Sequence, residues 1–351
     1  MFSFSSLELP IVGAPMAGGV STPELAAAVS AAGGLGFVAG GYLSAESLAE
    51  QIQKTRALTD LPFGVNLFMP VTDEQLPSDA DKQLTEFATA LETVGQQLEA
   101  QLGEAKASVE SEARVFDELI QVCVSQAVAV VTFTFGCPAT ELVRRLKDSG
   151  SLVGVTVTKP EDAVVAAQAG ADFLCVQGPA AGGHQSTFSV SDELNQLPLL
   201  QLVAKIRSVC SLPLIAAGGI RTAAQVRELL DAGAVAVEIG TPLLLADEAG
   251  TSATQREVLQ SLERETVLTR AFTGRFARAI KNSWAERYHE TAPAIYPGVH
   301  EITAPLRRAA ASTGEHEWTH IWAGEPYTGL AAGPAAKILR QIAPTTNSET
   351  D

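Results

Sequence analysis

Short apolar runs alternate along this chain with segments whose apolar residues return every three or four positions. The runs are PIVGAP (10–15), LGFVAG (35–40), FGVNLF (63–68), AVAVVTFTF (127–135), LVGVTV (152–157), FLCVQG (173–178), PLIAAGG (213–219) and VAVEIG (235–240). Brief, apolar and β-branched, these eight read as strands. Between them Leu25, Ala28, Val29 and Ala32, and again Val226, Leu229 and Leu230, fall on one helical face that needs a sheet to cover. Ser21 with Glu24 and Thr158 with Glu161 have capping-box spacing, with Pro23 and Pro160 in the first turn. A unit in which glycine ends a helix ahead of an apolar run recurs in AAGGLGFVAGG (31–41), SGSLVGVTVT (149–158), AGADFLCVQG (169–178) and AGAVAVEIG (232–240).

Eight such repeats predict an α/β protein, a (β/α)8 TIM barrel. A doubly wound open sheet would show the same alternation. The barrel is expected over residues 1–241, with an acidic helical excursion at about 70–118. A cap or substrate subdomain follows over 242–333, then a barrel-closing helix at 334–342 and a flexible tail at 343–351.

Composition narrows the function. Of 351 residues, 46% are hydrophobic and 18% charged, as in a globular protein with a sizeable core. A net charge of −16 disfavours nucleic acid and anionic membrane surfaces, which would repel it. Between Val71 and Glu118 acidic residues outnumber Lys82, Lys106 and Arg114 by four to one, the mark of a solvated helical excursion. Cys123, Cys137, Cys175 and Cys210 are scattered without a CxxC pair, so a metal site or redox dithiol is not expected. The expectation is a reduced, cytoplasmic protein without a secretory signal. Leu25–Ala45 and Leu119–Thr140 carry no charge, but glycines and glutamines break them, so they read as helix-to-strand passages and not membrane spans.

Candidate chemistry gathers where the strands end, the active face of such a barrel. Gly218–Gly219 and Gly240–Thr241 end the seventh and eighth strands, where backbone amides can hold a phosphate. Asn66 and Gln177 end otherwise apolar strands, and each amide could read the edge of a flat heterocycle or be a satisfied core group. In CVQGPAAGGHQ (175–185), Gly182 and Gly183 clear space for a planar ring beside His184, a candidate general base or charge stabiliser. His289, His300, His316 and His320 lack metal-ligand spacing and read as surface or packing residues. No GxSxG is present, Cys175 reads as core, and no GxGxxG opens a helix.

APMAGGVSTPELAAAVSAAGGLGFVAGGYLS, PFGVNLF, VQGPAAGGH, PLIAAGGI, VEIGTPLL and RAFTGRFARAIKN resemble, in order and spacing, the nitronate monooxygenases, formerly 2-nitropropane dioxygenases, over about residues 10–340. APMAGG followed by STPEL is more similar to their class I than to the related enoyl-ACP reductases. The resemblance implies an FMN barrel that oxidises alkyl nitronates with O2, a detoxifying activity. It implies that Ala14, Pro15 and Met16 line the isoalloxazine and that Asn66 and Gln177 bond the flavin. Gly182, Gly218, Gly219, Glu238, Ile239, Gly240 and Thr241 would hold the ribityl phosphate, and His184 would be the catalytic histidine. Ala180 and Glu238 stand where the family usually has glutamate and glutamine. Arg275 and Arg278 could draw in an anionic substrate or serve in surface ion pairs. The rival readings are an NAD(P)H-dependent enoyl-ACP or quinone reductase and a flavin-binding barrel without activity.

Overall fold

In the computed structural model, which describes residues 2–104, 109–261 and 263–344, all eight predicted runs are parallel strands of one sheet. They are β1 (Ile11–Gly13), β2 (Gly36–Ala39), β3 (Phe63–Phe68), β4 (Val130–Thr134), β5 (Leu152–Val157), β6 (Phe173–Gln177), β8 (Leu214–Ala217) and β9 (Ala236–Ile239). A short β7 (Gly183–His184) lies outside the sheet and pairs with a hairpin of β10 (Thr266–Thr269) and β11 (Ala277–Ile280).

Each barrel strand neighbours the next barrel strand in the chain, and β9 returns to pair with β1. Between β1 and β2 the backbone closes the ring, with Gly13 N donating to Leu35 O at 2.9 Å and Leu35 N to Ile11 O at 3.0 Å. A doubly wound sheet would reverse strand order part-way; this order does not, so the fold is a TIM barrel.

The helices that cover the barrel are α1 (Pro23–Ala31), α2 (Ala45–Leu58), α4 (Val109–Ser125), α5 (Thr140–Asp148), α6 (Pro160–Gln168), α7 (Leu199–Val209), α8 (Ala223–Asp231) and α12 (Ala335–Ile342). The last packs on α1 and α8, beside the β1–β9 junction. Inside the barrel Val12, Phe37, Val130, Phe173 and Ile215 form an apolar plug. Phe4 seals it from below, edge-on to Phe173 at 4.8 Å. Each such side chain removed from water stabilises the fold by roughly 1.5–3 kcal/mol.

The cap assembles from distant parts of the chain. α3 (Ala80–Gln97) joins α10 (Ser283–Tyr288), α11 (Gly298–Thr313) and the β10–β11 connection in one apolar cluster around the fully buried Trp284. α9 (Ala253–Ser261) packs against α11 from the other side.

Several expectations change. The acidic stretch divides: α3 belongs to the cap cluster, whereas α4 packs on β3, α2 and α5 as an ordinary barrel helix. Ser21 does not cap α1. Thr22 does, accepting from Leu25 N at 3.0 Å, while Ser21 Oγ receives Met16 N at 2.8 Å. Lys159 is the N-cap residue of α6, and Thr158 bonds Asp162 instead of Glu161. Residues 345–351 of the expected tail lie outside the described residues. No described helix is long and apolar enough to cross a membrane; the uncharged stretches are α1 into β2 and α4 into β4.

Candidate active site

The strand ends open into a cavity of about 380 Å³ beneath the cap. Ala14, Pro15 and Met16 border it after β1, Asn66 from β3, Gln177 at the end of β6 with Gly182 beyond it, Gly218 and Gly219 after β8, Glu238 and Ile239 at the end of β9, and Gly240 and Thr241 after it. His184 borders it too, so every residue that the resemblance assigned to the flavin or to catalysis reaches one concave surface.

Local chemistry shapes each edge. Gly218 and Gly219 take φ of 110° and 74°, a positive-φ backbone that glycine adopts without a Cβ clash. A Cβ on Gly182 would stand 2.5 Å from Gly324 N, so only glycine lets this loop pass beneath the cap. Thr241 ties the two edges by accepting from Gly324 N at 2.8 Å.

The amides are more committed than their types suggest. Asn66 Nδ2 donates to Thr132 Oγ1 at 2.9 Å and Thr134 Oγ1 at 3.0 Å. Gln177 Nε2 donates to His184 O at 3.0 Å, and its Oε1 accepts from Ser186 N at 2.8 Å. Gln177 thus fixes the His184 loop from below. From above, β7 sets His184 opposite Ala277 of β11, and Gln185 N donates to Phe276 O at 2.8 Å. The imidazole Nε2 meets Thr273 Oγ1 at 2.9 Å, among Phe135, Tyr296 and Trp322.

Burial, reinforced by the Arg275 and Arg307 guanidinium charges, lowers His184 to about 3, so its imidazole is neutral at physiological pH. The Glu238 carboxyl turns to the Cys175 thiol, and burial raises it to about 7. Cys175 is core, as expected.

Other expectations are refined here. Arg275 and Arg278 do not border the cavity; the ion-pair alternative holds for Arg278 and not for Arg275. Arg275, 1% exposed, donates to Thr187 O at 2.7 Å and lies 4.3 Å over the Phe135 ring. Arg278 donates to Pro179 O at 2.9 Å and pairs with Glu325 at 2.9 Å, strapping down the loop before His184. His300 and His320, expected at the surface or in packing, both border the cavity, together with Arg307. His300 stacks on Tyr42 with ring centroids 4.2 Å apart, and Tyr296 Oη donates to Tyr42 Oη at 3.2 Å. Tyr42 and Phe135 also border the cavity, with left-handed φ of 68° and 75°, strain that ordinary side chains seldom adopt. Their backbone conformation leaves no trace in the sequence. The spacing of His300, Thr303 and Arg307 on one face of a helix was a legible signal for the cap side of the site.

A family model described as nitronate monooxygenase matches residues 3–344. The chain belongs to the nitronate monooxygenase family. It is 35% identical to a probable nitronate monooxygenase of Staphylococcus aureus (strain MSSA476), over 96% of this chain and 94% of that protein. A probable nitronate monooxygenase of Bacillus subtilis (strain 168) is 34% identical over 96% of both. The solved structure of nitroalkane oxidase from Streptomyces ansochromogenes matches with TM-score 0.90 and 40% identity, over 96% of this chain and 95% of that one. FabK from Thermotoga maritima matches less well, at TM-score 0.73 and 28% identity over 97% and 93%. Membership in the nitronate monooxygenase family makes the chain an oxidoreductase.

Proposed function

We propose that this chain is an FMN-dependent nitronate monooxygenase, converting alkyl nitronates and O2 to carbonyl compounds and nitrite, with His184 as the catalytic residue. The observation that carries the reading is a neutral imidazole held from both sides at a cofactor-sized cavity whose rim has a positive-φ glycine pair.

The residues present fit FMN. The glycine turn at Gly218 and Gly219, with Gly240 and Thr241 also on the cavity wall, leaves backbone open to a phosphate, and Ala14 to Met16 line the same wall for a flat ring. Burial raises the Glu238 carboxyl to about 7, which lessens the negative charge that a phosphate on this wall would meet. When bound, FMN supplies the one-electron chemistry that couples a nitronate to oxygen. The protein binds and orients the substrate, and His184 handles the proton. Thr273 Oγ1 lies 3.2 Å from the Arg275 carbonyl, which takes its proton. Nε2–H of His184 then donates to Thr273, leaving the Nδ1 lone pair to accept a proton from the α-carbon of a neutral nitroalkane.

The expected cellular setting is cytoplasmic, and the role detoxification of nitronates. FabK, at lower TM-score and identity, favours the rival reductase reading less than the nitroalkane oxidase structure favours this one. Anaerobic mixing of purified protein with an alkyl nitronate should bleach the visible flavin bands, and NADPH should leave them nearly unchanged. Rapid bleaching by NADPH alone would transfer the chain to the reductase reading.

A further inference from the structure

Arg307 lies on α11 at the cap side of the cavity, 4% exposed. A guanidinium keeps its charge in a protein, and burying a cation without a counter-ion costs several kcal/mol. Its partners here are all neutral. Nε donates to Thr303 Oγ1 at 3.1 Å, Nη1 to His320 Nδ1 at 2.9 Å, and Nη2 to His300 Nδ1 at 3.1 Å with His300 O at 3.4 Å. Burial raises the Tyr42 phenol to about 12 and so keeps it neutral, the Arg308 guanidinium is a like charge, and no carboxylate among the described residues forms an ion pair with Arg307.

These bonds also fix two tautomers. A guanidinium only donates, so Nδ1 of both imidazoles must accept, and each neutral ring carries its proton on Nε2. Burial, reinforced by the guanidinium charge, keeps both rings neutral. His300, Arg307 and His320 all border the cavity. Arg307 has five N–H groups, of which the four contacts above use four. The cap wall therefore combines one uncompensated positive charge with two imidazoles fixed as Nε2–H donors. His184, being neutral, supplies no charge of its own to match an anion.

We propose that Arg307, with His300 and His320, is an anion-binding site that receives the negatively charged oxygens of the substrate. Arg307 supplies the charge and sets both imidazoles as donors; Tyr42 holds His300 by stacking. The proposal rests on the nitronate reading for the identity of the anion, but the site itself is tested without turnover.

The probe is nitrate, a planar oxygen-bearing monoanion, titrated into the FMN holoenzyme with the visible flavin spectrum and calorimetry as readouts. Nitrate should bind saturably and compete with nitronate. Arg307→Gln should weaken nitrate about tenfold or more, the loss expected of a charge-assisted contact. It should raise the KM for nitronate by a similar factor, with kcat and flavin content changed far less. His300→Gln and His320→Gln, which keep the cation, should each weaken nitrate by a smaller factor. If Arg307→Gln does not fold, Arg307→Lys keeps the charge but cannot bridge both imidazoles, and should still bind nitrate measurably more weakly than wild type. A wild-type holoenzyme indifferent to nitrate, or position-307 variants that bind it as wild type does, would overturn the site. Nitrate binding lost in the variants while wild type fails to oxidise nitronates would overturn the oxidation reading alone.

Discussion

At the scale of single residues, His184 is held so completely that its replacement separates chemistry from binding. Its ring touches Thr273, its carbonyl is held by Gln177, and its backbone is paired across from Ala277. Asn in its place keeps a polar group of similar reach but removes the basic nitrogen. His184→Asn should retain FMN and lower turnover of a neutral nitroalkane by about two to four orders of magnitude, the range for a general acid or base. Steady-state kinetics on protein with matched flavin absorbance checks this. Undiminished turnover would remove His184 from proton handling. With its imidazole lowered to about 3, His184 needs no deprotonation between pH 5 and 8, so its loss should depress the rate without introducing a new ionisation there.

At the scale of elements, the site depends on the hairpin of β10 and β11, which sequence patterning did not single out. Arg278 of β11 faces Gly183 in register, donates twice to Pro179 O, and pairs with Glu325. One side chain thus joins the loop before His184 to the cap. Arg278→Ala should cost about 2 kcal/mol of stability through lost charge-assisted bonds and lower turnover severalfold, with flavin retained. Denaturant melts and kinetics on the same preparation test both parts; an unchanged rate would show that β7 holds its place through backbone pairing alone. The barrel strands were legible because buried apolar runs between helical repeats have a local signature, and the glycines after β8 and β9 could be placed once strands were counted. The burial of Arg275 and the place of His300 and His320 on the cavity wall were missed for a common reason. Their roles follow from which cap elements come together over the barrel, and α3 and α11, which share one apolar cluster, are far apart in sequence. Capping partners shifted by one residue because Ser21 and Thr158 had competing bonds, to Met16 and Asp162, that spacing alone does not reveal.

At the scale of the whole molecule, buried titratable groups pull stability in opposite directions with pH. His184, at about 3, His300, at about 2, and His320, well below its usual value, stay neutral in the fold while their unfolded counterparts protonate below about 6.5. Their lowered values make stability fall as pH falls below that point, by about 1.4 kcal/mol per pH unit for each group that titrates only in the unfolded chain. Burial raises Glu238 and Glu112 to about 7, Asp162 to about 6, and Glu301 in the same direction. These acids keep protons that the unfolded chain has released above about 4.5, so their effect is a loss of stability as pH rises from there to about 7. Between about 4.5 and 6.5 the two sets oppose each other, and the melting temperature should change little. Below about 4.5 the acids are protonated in both states and cease to act, whereas the imidazoles continue. Glu317, lowered to about 2 chiefly by its bonds to Arg264 and Ser283 against the opposing effect of burial, adds to the same loss. Thermal melts of the holoenzyme from pH 3 to 8 should therefore show a plateau and then a steep acid decline. Glu238→Gln should gain stability relative to wild type as pH climbs from about 4.5 to 7, because one opposing acid has gone. A constant difference between the two proteins across that window would mean that the carboxyl is not held protonated against Cys175.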